Sequence, residues 1–151
     1  MTSAEDLKHQ RLFEDIELSE LQSLVPVIEE IELKEGDTLF TEGEDTRGIY
    51  LIRSGRVEIS KVTADGWKQR LAVFAQGHFI GELSIMEKTV HEASAKALEG
   101  SELLLLPKEE FWKLEKENVA LAFQIVKKIA IIMSKNLRHM NRRFIDALIN
   151  Y

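Results

Sequence analysis

The sequence predicts a mainly β domain with flanking helices: an antiparallel two-sheet sandwich or barrel, helices before it, and one long helix after it. Three observations carry this. A central stretch, from Ile31 to Val62, alternates apolar and polar residues with a period of two. Glycines punctuate the same region at short intervals from Gly36 to Gly100, as short strands joined by tight turns require. After Gly100 there is no glycine, and after Pro107 no proline, so the end of the chain can remain helical.

At 151 residues and 44% hydrophobic composition, the chain is long enough for one well-buried core and too apolar for disorder. From Ala4 to Glu30 it reads as helical, with Leu7, Phe13, Ile16, Leu21, Leu24, Val25 and Ile28 spaced in threes and fours. Ser19-Glu20-Leu21-Gln22 resembles a capping box, with Ser19 as the cap of a second short helix. Beyond Pro26 come the strand residues Ile31, Leu33, Leu39, Ile49, Leu51, Val57, Ile59 and Val62; Asp65-Gly66 is a hairpin signal, and Glu102 to Leu106 is the last strand.

The helical run from Lys108 divides the chain into residues 1–117, helices plus barrel, and residues 118–151, a C-terminal helix about 50 Å long. Such a helix outreaches a domain of this size. Val119, Ala122, Val126, Ile129 and Met133 form one apolar seam, and Ala130, Met133, Leu137, Met140, Phe144, Ala147 and Tyr151 continue it after a register shift. The first half is expected to pack on its own barrel and the second half against a second copy of the chain, making a homodimer.

Composition excludes several classes. There is no cysteine, which removes disulfides, thiolate metal sites and cysteine nucleophiles. The N-terminus MTSAEDLKHQ is not a secretory signal, and no apolar run approaches a membrane span. A cytoplasmic location is expected, with no membrane association. His9, His78, His91 and His139 are scattered, so no metal site is expected. The net charge of −6 opposes polyanion binding in general. From Asn118 onward, however, Lys127, Lys128, Lys135, Arg138, Arg142 and Arg143 face only Asp146, a local +5 that leaves −11 on the rest. That tail suits an acidic protein partner.

The stretch richest in chemistry is Gln76-Gly77-His78-Phe79-Ile80-Gly81-Glu82-Leu83-Ser84-Ile85-Met86. A strand ends in glycine, an acid follows a second glycine, and a short apolar helix begins. Free amides of Leu83, Ser84 and Ile85 would form an anion site, with Glu82 beside it as an acceptor for ligand hydroxyls.

Here the chain resembles the cyclic nucleotide-binding domain family, of the Crp/Fnr-like or kinase-regulatory-subunit type. The likeness also runs through Leu12-Phe13 to Leu24, Lys34 to Glu44, and Ile49 to Val57. It implies a jelly-roll barrel, no enzymatic activity and a regulatory ligand-sensing role, with a phosphate-binding cassette carried by Gly81, Glu82 and the amides of Leu83 to Ile85. In that family an arginine holds the cyclic phosphate; here His91 takes its place, followed by Glu92 and Ala93. Losing a forked, charged contact costs about 1.5 to 3 kcal/mol. A carboxylate within about 5 Å of the phosphate adds roughly 3 kcal/mol of repulsion, so binding of cyclic AMP or cyclic GMP is expected to be about a thousandfold weaker. Lys88 is the nearby candidate to restore the charge. The alternatives are a pocket for another small anion, or a domain that binds no cyclic nucleotide and serves as a dimerisation or docking module. No cofactor is expected. Regulators in the family append a helix-turn-helix domain after the long helix; with the sequence ending at Tyr151, DNA binding by this chain is not expected.

Overall fold

A computed structural model describes residues 1–150. Eight strands form two four-stranded antiparallel sheets. They are β1 (Glu29–Leu33), β2 (Thr38–Phe40), β3 (Gly48–Ser54), β4 (Arg56–Val62), β5 (Lys68–Ala75), β6 (Phe79–Ile80), β7 (Ser94–Ala97) and β8 (Ser101–Pro107). The sheet orders β1-β8-β3-β6 and β2-β7-β4-β5 are those of a jelly roll, the form of antiparallel two-sheet barrel that the family resemblance implies. The Asp65-Gly66 signal is met by the β4–β5 hairpin, closed by the Thr63 amide donating to the Trp67 carbonyl at 2.8 Å.

Two apolar clusters hold the molecule together. Tyr50, Ile52, Leu103 and Leu105 fill the barrel with Phe40 and Val57. Their neighbours Ile49, Leu51, Leu104 and Leu106 face the other way, into a cluster shared with the helices. Strands β3 and β8 are therefore buried on both faces, which explains their near-continuous apolar runs. Glu58 on β4, read only as a polar alternation, is in fact buried, and it is paired with Lys68 and, at 2.7 Å, Arg70 across the hairpin.

The N-terminal segment has the expected helices but is more broken than the two-helix reading of Ala4 to Glu30. It consists of α1 (Ala4–Lys8), a single 3-10 turn at Arg11–Phe13, α2 (Leu18–Gln22) and a second 3-10 turn at Val25–Val27. Backbone extended at Gln10 (ψ 136°) and Glu17 (ψ 145°) breaks the helices, and β1 already begins at Glu29. Ser19 is not a cap: α2 starts after Glu17, whose carbonyl accepts from Glu20 and Leu21, so Ser19 lies inside the helix. The capping box is instead at Ser3 and Asp6.

After β8 come α4 (Lys108–Glu117) and α5 (Val119–Ile149), separated at Asn118, whose side chain caps α5 through the Leu121 amide. The face α5 buries is Leu121, Ala122, Ile125, Ile129 and Ile132, of which the sequence seam held only Ala122 and Ile129. It rests on the N-terminal segment and α4 more than on the barrel itself. Lys128 locks it there, at 2.8 Å from Glu14 and 2.6 Å from Asp15. The other members of the first seam are outward: Val119, Val126 and Met133 continue into Leu137, Met140 and Phe144, with Phe123 and Ala130 between them. One unbroken stripe in alternating steps of four and three thus replaces two seams and a register shift. Tyr151, the last residue assigned to that seam, lies outside the described residues.

Candidate functional site

The site is built where β6 hands over to a short helix. Phe79 and Ile80 pair with Leu51 and Tyr50 of β3, then the chain turns at Gly81 (φ 89°) into α3 (Glu82–Glu87). Only glycine fits here. The left-handed backbone disfavours a side chain, and a Cβ would stand 2.9 Å from the Gly48 carbonyl and 3.4 Å from the Tyr50 ring. With Gly81 as N-cap, the amides lacking helical partners are those of Gly81, Glu82, Leu83 and Ser84. Ile85 does not belong with them, since the residue four beyond a cap donates the first helical bond, and its side chain is buried in the core. The Ser84 hydroxyl donates to the Gly81 carbonyl at 3.0 Å. The helix closes at Lys88, a non-glycine residue in left-handed conformation (φ 56°).

A cavity of about 210 Å³ opens against this helix. Of the sequence-selected residues, Gly81, Glu82, Leu83, Ser84, His91, Glu92 and Ala93 line it and Ile85 does not. The sequence reading missed Phe40, Phe74 and Phe79 on its walls and Glu87 at its edge. Phe40 comes from β2, and no local pattern announces that its ring will stack on His91, with centroids 3.6 Å apart and planes 6° from parallel.

His91 is 4% exposed. Its amide donates to the Glu44 carbonyl and its carbonyl accepts from Gly43, which pins the residue to the turn after β2. The Nε2 atom is buried with no hydrogen-bond partner among the described residues. Burial pushes the imidazole pKa down from 6.5, with Glu44 opposing, so the ring is neutral at pH 7. Burial also pushes the half-buried Glu82 carboxyl up from 4.5. Glu92 is exposed at the cavity edge. Lys88 does not line the cavity; its ammonium lies 5.3 Å over the Trp112 ring of α4.

The family profile described as cyclic nucleotide-binding domain matches residues 30–118. The chain belongs to the cyclic nucleotide-binding domain family. Within it, the chain is 39% identical over 116 residues to the anaerobic regulatory protein of Bacillus subtilis, covering 74% of this chain and 46% of that one. It is 31% identical over 119 residues to a lysophospholipase nte1 of Neurospora crassa, covering 79% of this chain and 7% of that protein. Among solved structures, the N-terminal domain of a transcriptional regulator from Streptomyces coelicolor superimposes with a TM-score of 0.74 at 27% identity, covering 89% of this chain and 94% of that one. The match spans about half of the bacterial regulator and a small part of the lysophospholipase. No helix among the described residues is long and apolar enough to cross a membrane.

Proposed function

We propose that this member of the cyclic nucleotide-binding domain family is a non-enzymatic, cytoplasmic, dimeric sensor domain whose cavity takes cyclic AMP or cyclic GMP only weakly. The observation that supports weak binding is the charge of the cavity: its neutral His91 stands where the family's arginine would, beside Glu92 and Glu82. A phosphate would find backbone amides of α3 but no fixed positive side chain. In this reading residues 1–117 sense and residues 118–151 transmit, a ligand shifting α5 against the rest and so changing what the dimer presents. The exposed stripe along α5 supports dimerisation, and Lys135, Arg138, Arg142 and Arg143 on its exposed surface suit an acidic protein partner.

Titration calorimetry of wild type against the double variant His91→Arg with Glu92→Ser tests the reading. The variant should gain about 3 to 5 kcal/mol of cyclic AMP affinity. Micromolar binding by wild type would show that the helix amides suffice. A folded double variant that stays blind to cyclic AMP would favour the second reading, a docking or dimerisation module, which the cavity carboxylates, without a salt-bridge partner among the described residues, also support.

A further inference from the structure

We propose that Arg11 and His78 form a proton-sensitive latch, which fastens the N-terminal 3-10 turn to the turn before β6 at neutral pH and releases it on acidification. The device stands apart from the ligand-sensing reading and needs no ligand. The Arg11 guanidinium donates to the His78 Nδ1 atom at 3.3 Å, which requires a neutral ring with its proton on Nε2. Protonation of Nδ1 removes the acceptor and sets two cations against each other.

The barrel side of the latch is fixed. The Gly77 amide donates to the Ile52 carbonyl of β3 and the Ile52 amide donates to the His78 carbonyl, both at 2.9 Å. The other side is lightly held. The 3-10 turn Arg11–Phe13 meets this loop through the Arg11 amide, which donates to the Gly77 carbonyl at 3.0 Å, and through the Arg11 side chain. Its internal hydrogen-bond geometry is poorer than that of an α-helix, so opening frees the turn and leaves the barrel intact. What rides on the turn is α5. Leu12 and Phe13 share a cluster with Leu121, Ile125 and Ile129, and Lys128 binds Glu14 and Asp15 directly after the turn.

Arg11 is the charged group that faces the imidazole. From β5 comes the Phe74 ring, its centroid 6.0 Å away. From β3 comes Ile52, whose neighbour Arg53 is held by Asp6, Glu30 and Glu102. His9, two residues before Arg11, is exposed. No carboxylate among the described residues pairs with His78 or Arg11, so nothing offsets the repulsion once the ring is charged. Burial first, and the Arg11 charge second, hold the His78 pKa below 6.5. Opening relieves both, so the open fraction grows as pH falls below 6.5.

Amide hydrogen exchange followed by NMR on the full chain, corrected for the intrinsic pH dependence of exchange, tests the latch between about pH 7.5 and pH 5. Protection of the Arg11 and Phe13 amides should fall about tenfold, while Leu51 and Leu104, paired in the barrel sheet, keep theirs. His78→Asn retains an acceptor in place of Nδ1 and cannot be protonated, so protection of the two amides should stay flat with pH. Arg11→Gln removes the cation and should bring the His78 ring titration up and shrink the response. A wild type without pH response at Arg11 and Phe13, a His78→Asn chain that follows the wild-type curve, a ring titration unmoved by Arg11→Gln, or a parallel loss at Leu51 and Leu104 overturns the latch.

Discussion

His91 and Glu82 tie the cavity to stability through opposite protonation signs. The folded pKa of His91 lies below its reference of 6.5 because burial disfavours the imidazolium. Between the two values the unfolded chain binds more protons, so stability falls as pH drops below 6.5. His91→Phe, which keeps a ring against Phe40, should remove that part of the acid sensitivity; parallel melting profiles for the two proteins below pH 6.5 would exclude it. Glu82 is the reverse case. Its folded pKa lies above 4.5 through burial, so the folded chain binds more protons above pH 4.5 and stability is lost as pH rises through that window. Glu82→Gln, uncharged throughout, should melt above wild type at pH 7 and converge with it below pH 4.5. A variant melting below wild type at pH 7 would give Glu82 a structural duty instead. At this scale the sequence was legible for Gly81 and Glu82, because glycine followed by an acid at a strand-to-helix handover is unusual in any context, and for His91 only through the family resemblance, whose arginine position it occupies. It was silent on Phe40, whose stacking on His91 joins β2 to the segment before β7 and depends on how the sheets close.

Helix α5 has one buried apolar face and one exposed apolar face. Leu121, Ile125 and Ile129 are sealed against the N-terminal segment, so Ile125→Ala should cost about 2–5 kcal/mol in urea unfolding. Leu137, 58% exposed, touches solvent in the single chain. Leu137→Ala should therefore change unfolding of a dilute sample by less than about 0.5 kcal/mol while weakening self-association seen in concentrated samples. Equal losses from both substitutions in dilute solution would contradict this division of faces. Three-and-four spacing alone could not separate the faces, since an apolar residue at either obeys the same period. The same ambiguity made Ala4 to Glu30 read as helical with a break only at Ser19, where 3-10 turns and extended residues at Gln10 and Glu17 satisfy similar spacing.

Taken whole, the molecule is a barrel with its own core and a helix whose apolar stripe is left exposed by the described residues, from Val126 at 37% exposure to Phe144 at 64%. Light scattering of the full chain at micromolar concentration should report a dimer, and truncation after Lys135 a folded monomer, because the outer half of the stripe is then gone. A monomeric full chain would refute the dimer and leave the stripe for another partner. The sequence by itself determined the antiparallel two-sheet class, the hairpin at Asp65-Gly66, the long final helix and the glycine-marked turn into the short helix at Glu82, because period, turn chemistry and glycine placement are local properties that the chain carries before it folds; the jelly-roll form was implied by the family resemblance. Only the tertiary structure decided which face of α5 is buried, that Lys88 turns to Trp112, and that three carboxylates share one cavity with a neutral imidazole. These depend on distances between strands and helices far apart in sequence, and burial, which sets both charge and contact, exists only once those elements have packed.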